Sequence, residues 1–204
     1  MTDQPVKWDV HQEFSIVDHL LASKSRSKGV DAFALSLLKG ERHARRVFTF
    51  LVFQNSCFAE NDSAELRSIL ARNDRFSFTS ALAGIDLISP CSLAEICGDL
   101  HKSLLSSLPS ITNRRNKIFH GQLTQESLST EELTVMALIL KNWSISLAEN
   151  GANKLGYDGF SLESFVKNPD PEFRCSLKRQ LTSLADYSAL IMEAIPAGRL
   201  LVRT

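Results

Sequence analysis

Apolar residues recur at intervals of three and four along nearly the whole chain, and no alternation of apolar and polar residues lasts long enough to propose a strand. Helices bury such a pattern on one side. From Gly29 to about Phe53 the positions Phe33, Leu37, Val47, Phe48, Leu51 and Val52 keep this period, with Glu41, Arg42, Arg45 and Arg46 between them on the other side. One long amphipathic helix is expected there. There is no internal repeat, and short connections favour antiparallel neighbours, so the expected fold is all-α, an antiparallel helical bundle.

Further helices follow from caps and stops. Ser63 opens a short helix carrying Leu66, Ile69 and Leu70, and Phe76 to Ile88 forms another that Ser89-Pro90 closes. Ser-Leu-Ala-Glu at 92–95 is a capping box, with Glu95 placed to return a hydrogen bond to the Ser92 amide. Pro109 should break or kink the helix it opens, and the pattern resumes from Ile111 to Phe119 before a stop at Gly121. Ser129 to Glu132 opens a helix lined by Leu133, Met136, Leu140, Trp143 and Leu147, with its end expected at Asn150-Gly151. Lys154 to Pro169 reads as a structured loop. Asp170-Pro171 then caps a last helix, expected over 171–195 through Phe173, Leu177, Leu181, Leu184 and Ile191.

Hydrophobic residues make up 44% and charged residues 23% of the 204 positions, close to globular averages, so disordered and low-complexity readings drop out. Residues 1–28 read as an N-terminal extension and 29–204 as one helical domain. Cationic and anionic side chains number 23 each, which excludes a histone-like binder and leaves affinity for polyanions to a local patch. Cys57, Cys91, Cys97 and Cys175 are scattered without zinc spacing, as befits reduced thiols in a cytoplasmic protein. A polar N-terminus and no apolar run approaching about 18 residues point away from export and from a membrane. No phosphate loop or dinucleotide fingerprint is present, and no cofactor or metal is expected.

The densest unusual segment is Asn113-Arg114-Arg115-Asn116-Lys117-Ile118-Phe119-His120-Gly121-Gln122, where three cations, two amides and a histidine gather at a helix end. Four residues advance a helix by about 400°, so Asn116 and His120 share a face, whereas Arg115 lies roughly 140° around from His120. Arg115 meets His120 only where the helix ends or across a dimer. An imidazole moves protons near neutral pH, and a guanidinium is a permanent charge forked to match phosphate oxygens. In RNA the 2′-hydroxyl is its own nucleophile, so these two groups suffice for phosphodiester cleavage without metal. The plainer alternative is that the cations complement the helix dipole.

Arg115-Asn116-x-x-x-His120-Gly121 resembles the signature of the HEPN superfamily, Arg-x4-6-His, in which a polar residue often follows the arginine as Asn116 does here. Glu41-Arg42-His43-Ala44-Arg45-Arg46, Gly121-Gln122-Leu123-Thr124, the helix with Trp143 and Gly156-Tyr157-Asp158-Gly159-Phe160 are similar to HEPN proteins of prokaryotic conflict systems, over roughly residues 30–165. The resemblance implies an all-α bundle that forms a homodimer, with the arginine and histidine of both subunits facing one cleft as a metal-independent endoribonuclease. It implies roles as a toxin or phage-defence effector with an antitoxin or defence-system partner. By residue it assigns catalysis to Arg115 and His120 with Asn116 in support, and RNA contacts to Arg114 and Lys117, Arg114 being a rival for the catalytic arginine. Members silenced by adenylylation carry a tyrosine two residues after the histidine, where Gln122 stands here. The alternative is a non-catalytic helical dimer acting as an RNA-binding or regulatory module.

Of the remaining candidates, Glu41, Arg42, His43, Arg45 and Arg46 read first as a solvated helix face with i,i+4 pairing and second as an RNA-facing stripe. His11, His19 and His101 read as surface or capping residues. Trp8 and Trp143 read as core or dimer anchors, and the phenylalanines from Phe33 to Phe78 as core.

Overall fold

A computed structural model describes residues 9–121 and 129–203 of the chain. Every regular element among them is helical: α1 (Val10–Ala22), α2 (Lys28–Phe53), a 3₁₀ turn (Glu60–Asp62), α3 (Ser63–Ala71), α4 (Phe78–Ile88), α5 (Leu93–Cys97), α6 (Asp99–Phe119), α7 (Thr130–Leu155), α8 (Pro171–Cys175) and α9 (Leu184–Leu200). The fold is all-α. No helix among the described residues is long and apolar enough to cross a membrane. Trp8 and the segment from Gln122 to Thr124 lie outside the described residues.

The core forms around α2, which packs against α1, α4 and α7 while α9 lies on α4. Its stripe of Phe33, Leu37, Val47, Phe48 and Leu51 is buried, as the spacing requires. Close helix approach depends on small residues: a Cβ at Gly84 would stand 2.7 Å from the Phe48 ring, and one at Gly198 would stand 2.5 Å from the Ser80 backbone nitrogen. Part of the expected N-terminal extension is core, since Phe14 and Val17 of α1 are fully buried.

Three expected boundaries move. The helix opened by the Ser92–Glu95 capping box, whose reciprocal bonds measure 2.7 and 3.2 Å, stops after five residues rather than reaching Pro109. Gly98 turns the chain with φ of 56°, a left-handed conformation that side-chain-bearing residues adopt at a cost. Pro109 then sits inside α6 without ending it. A mid-helix proline costs about 3 kcal/mol. Leu104, Leu108 and Ile111 on one face of α6 are all buried, each contributing roughly 1.5–3 kcal/mol, so packing outweighs the break.

Helix α7 runs past Asn150-Gly151 to Leu155 and stops at Gly156. Gly151 marks a close approach instead, because a Cβ there would stand 3.1 Å from the Tyr157 carbonyl oxygen. The last expected helix divides into α8 and α9. Leu177 and Leu181 are buried as expected, but from an irregular segment in which the Leu181 amide donates to Asn55 Oδ1 at 2.6 Å. Ser183 then caps α9 by accepting from the Asp186 amide.

Residues 156–170 form a loop clamped onto the C-terminal half of α2. Tyr157 stacks on Phe50 with centroids 4.3 Å apart. The Gln54 side chain donates to Val166 O at 3.0 Å and accepts from the Asn168 amide at 2.6 Å. Lys167 donates to the carbonyls of Phe53 and Asn55, and the Asn168 side chain donates to Leu155 O. These bonds close open carbonyls at the ends of α2 and α7 and fix where residues 163–165 stand beside α2.

Candidate nucleic-acid interface at the end of α6

The polar cluster occupies the last turn of α6, and its members have different surroundings. Ile118 packs against the core and orients the turn. Arg114 reaches α7, where its Nη2 donates to Glu132 Oε2 at 2.9 Å. Arg115 is exposed; its Nη1 donates to Asn116 Oδ1 at 3.2 Å and its guanidinium carbon lies 5.8 Å from the Phe119 ring centroid. Asn116 and His120 are exposed and Lys117 is half-buried. Phe119 leaves 52% of its surface open, which is unusual for a phenylalanine and marks the turn as a contact surface.

His120 is the first residue beyond the helix, and its amide still donates to Asn116 O at 3.0 Å. Helical spacing therefore holds up to the histidine. It places Arg115 about 140° around the axis from His120, and no hydrogen bond joins their side chains within one chain. The lone pair of Asn116 Oδ1 is spent on Arg115, which leaves the imidazole of His120 without a side-chain partner among the described residues.

Arg115 opens toward the body of the bundle. It lines a recess with Leu37 and Glu41 of α2, Ser77 at the N-cap of α4, and Thr79. Glu41 has a second neighbour set: its Oε1 accepts from Arg45 Nε at 3.1 Å and Nη2 at 2.9 Å. Glu41 also lines a groove of about 560 Å³ between α2, α3 and the 163–165 strip, together with Arg42, Arg45, Arg46 and Arg67. The recess and the groove thus meet at Glu41.

The sequence predicts α2 as the bearer of a charged face, and the i,i+4 pair Glu41–Arg45 is there. Its members are not simply solvated. Arg45 also donates to the Phe76 carbonyl, and Arg46 donates to Tyr157 Oη at 3.4 Å and to Leu162 O at 2.5 Å. Arg42 is exposed. His43 leaves the stripe altogether: it is fully buried, and its Nε2 donates to Asp158 O at 3.0 Å. His101 is also buried rather than superficial, whereas His11 and His19 are exposed. Trp143 is wholly in the core.

Compared with known protein families, curated proteins and solved structures, the chain matches none. Chemical reasoning from its own residues must carry the function. Among the described residues no three histidine, cysteine, aspartate or glutamate side chains gather where they could hold a metal ion. The segment can supply fixed positive charge from Arg115, a titratable imidazole from His120 and an amide from Asn116. Sequence reasoning missed Ser77, Thr79 and Arg67, which come from other elements and carry no spacing signal toward Arg115.

Beside the cluster, α6 and α7 form a shallow groove of about 450 Å³ where Arg114 and Glu132 meet Val135, Met136 and Ile139. Val135 keeps 55% of its surface exposed and Leu138 37%. Apolar side chains flank the charged turn on its α7 side.

Proposed function

We infer that this protein is a HEPN-type endoribonuclease that cleaves RNA without metal, acting as a homodimer in a toxin or phage-defence setting. The observation that carries the reading is the exposed Arg115-Asn116-x-x-x-His120 turn, whose imidazole has no side-chain partner and whose arginine is held only by its neighbouring amide. His120 takes the proton of the 2′-hydroxyl, the 2′-oxygen attacks the adjacent phosphorus, and Arg115 balances the charge that grows on the phosphorane oxygens. The bond to the 5′-oxygen breaks, and an imidazole of the second copy returns a proton to it. The products are a 2′,3′-cyclic phosphate and a 5′-hydroxyl. Arg115 fits the catalytic arginine better than Arg114, because Arg114 is drawn onto Glu132.

Incubation of the purified protein with total RNA and a chelator tests this. Arg115→Ala and His120→Ala should each lower the cleavage rate by about 100-fold or more while the chain stays folded. Absence of cleavage, or cleavage that both substitutions leave intact, rejects the nuclease. The exposed apolar side chains beside the turn favour a second reading, a non-catalytic helical dimer that serves as an RNA-binding or regulatory module. That reading expects His120→Ala to weaken association rather than chemistry.

A further inference from the structure

The groove along α2 collects more positive charge than its structural contacts use. Four guanidiniums line it, those of Arg42, Arg45, Arg46 and Arg67, against the carboxylates of Glu41 and Glu163. Only Glu41 is close-paired, with Arg45 at 2.9 Å. The Arg67–Glu163 pair stands 3.6 Å apart with side chains 62% and 81% exposed, a separation and exposure at which water screens most of the attraction. Arg45 and Arg46 are further held by the carbonyls of Phe76 and Leu162, which fix the guanidiniums in place without neutralising them. Arg42 has no hydrogen bond or ion pair with any described residue. Like charges gathered in one groove repel, and an anion relieves that repulsion.

The groove's other walls are apolar. Leu38, Leu66, Leu70 and Phe165 line it, and Leu38 is half exposed. Guanidiniums above an apolar and aromatic floor suit a ligand with phosphates on one side and flat bases on the other. From Glu41 to Thr49 the α2 wall runs about 12 Å at the helical rise, longer than one phosphate needs. At its Glu41 end the groove continues into the recess that Arg115 lines.

We propose that this groove binds the sugar-phosphate backbone of single-stranded RNA and leads the strand to the Arg115–His120 turn. The inference rests on the nuclease reading for the fate of the strand but not for its binding. Arg42 and Arg67 supply phosphate contacts, Arg45 and Arg46 fixed charge, and Phe165 with the leucines a surface for bases.

The test is fluorescence anisotropy with a short mixed-sequence single-stranded RNA, on protein carrying His120→Ala so that the RNA stays whole. Arg42→Gln with Arg67→Gln should weaken binding at least tenfold and make the slope of log K against log salt shallower by about 1.4, two phosphate contacts being lost. Lys102→Gln, at the opposite end of α6, should change neither. Both arginines are exposed, so thermal unfolding of the double variant should match its parent. Equal binding by parent and double variant overturns the groove. Displacement of the RNA by nucleoside 5′-monophosphates at equal phosphate concentration overturns the strand in favour of a free nucleotide. With His120 restored, uncut RNA that still needs Arg42 and Arg67 for binding removes the nuclease and leaves the groove, whereas RNA cut as before by a double variant with unchanged binding does the reverse.

Discussion

His43 shows how one residue ties the loop to the helix that carries the groove. Burial, the largest influence on it, holds its imidazole neutral and lowers its pKa from 6.5 to about 3, against the opposing pull of the Asp158 carbonyl. Gly159, at φ of 79°, lies so close that a Cβ there would stand 2.3 Å from His43 Cδ2, so the loop crosses this ring only with glycine. Above pH 6.5 the imidazole is neutral in both the folded and unfolded chain, and the fold keeps its full contribution. As the pH falls from 6.5 towards 3 the unfolded chain takes up a proton that the folded one refuses, and stability declines. His101, also buried and shifted downward by desolvation, acts with the same sign. His43→Gln, which keeps a donor for Asp158 O, should lower stability near neutral pH yet flatten the decline between about pH 7 and 5. Urea unfolding at both pH values measures this; a variant with the parental pH slope removes His43 as the cause.

Helices were legible in the sequence wherever one face carried the whole apolar stripe, as in α2, and wherever a cap was chemically complete, as at Ser92. What escaped was the choice between rival stops. Pro109 and Gly98 both signal a break, and only the burial of Leu104, Leu108 and Ile111 against the rest of the bundle decides between them. Phe173, Leu177, Leu181 and Leu184 mimic a helical stripe, but a side chain from another element, Asn55, takes the Leu181 amide. Of the candidate site, the α6 turn was visible as a run of adjacent residues. The groove was not, because Arg67 and Phe165 reach it from elements far along the chain. The helix that carries Arg115 also retains an avoidable fault at Pro109, whose ring is exposed and whose missing amide leaves the Leu105 carbonyl without its helical donor. Pro109→Ala should restore that bond and raise stability by about 1–3 kcal/mol. Chemical denaturation reads the change, and an unchanged or lower midpoint would show that the proline fits its place in α6 better than an alanine.

For the molecule as a whole, equal numbers of acidic and basic side chains mean that no long-range field gathers RNA, so recognition falls to where cations are concentrated. Those places are the groove along α2 and the end of α6, which meet at Glu41. Chemistry needs one thing more, since helical spacing turns Arg115 and His120 of one chain about 140° apart. A second copy placed by a two-fold axis brings its own turn toward the first, so that Arg115 of one copy and His120 of the other can face one phosphate. The exposed Phe119, Val135 and Leu138 give such a pairing apolar surface to bury. This arrangement makes a prediction that a self-contained site does not. Arg115→Ala and His120→Ala proteins, each inactive alone, should regain cleavage when unfolded together and refolded as a mixture. Half of the dimers then combine both variants, and each of these keeps one of its two Arg–His pairs, so about a quarter of the parental activity should return. Recovery should fade on dilution below the dimer's dissociation constant. A mixture no more active than its components, formed from chains shown to exchange, would mean that Arg115 and His120 act within one chain or not at all.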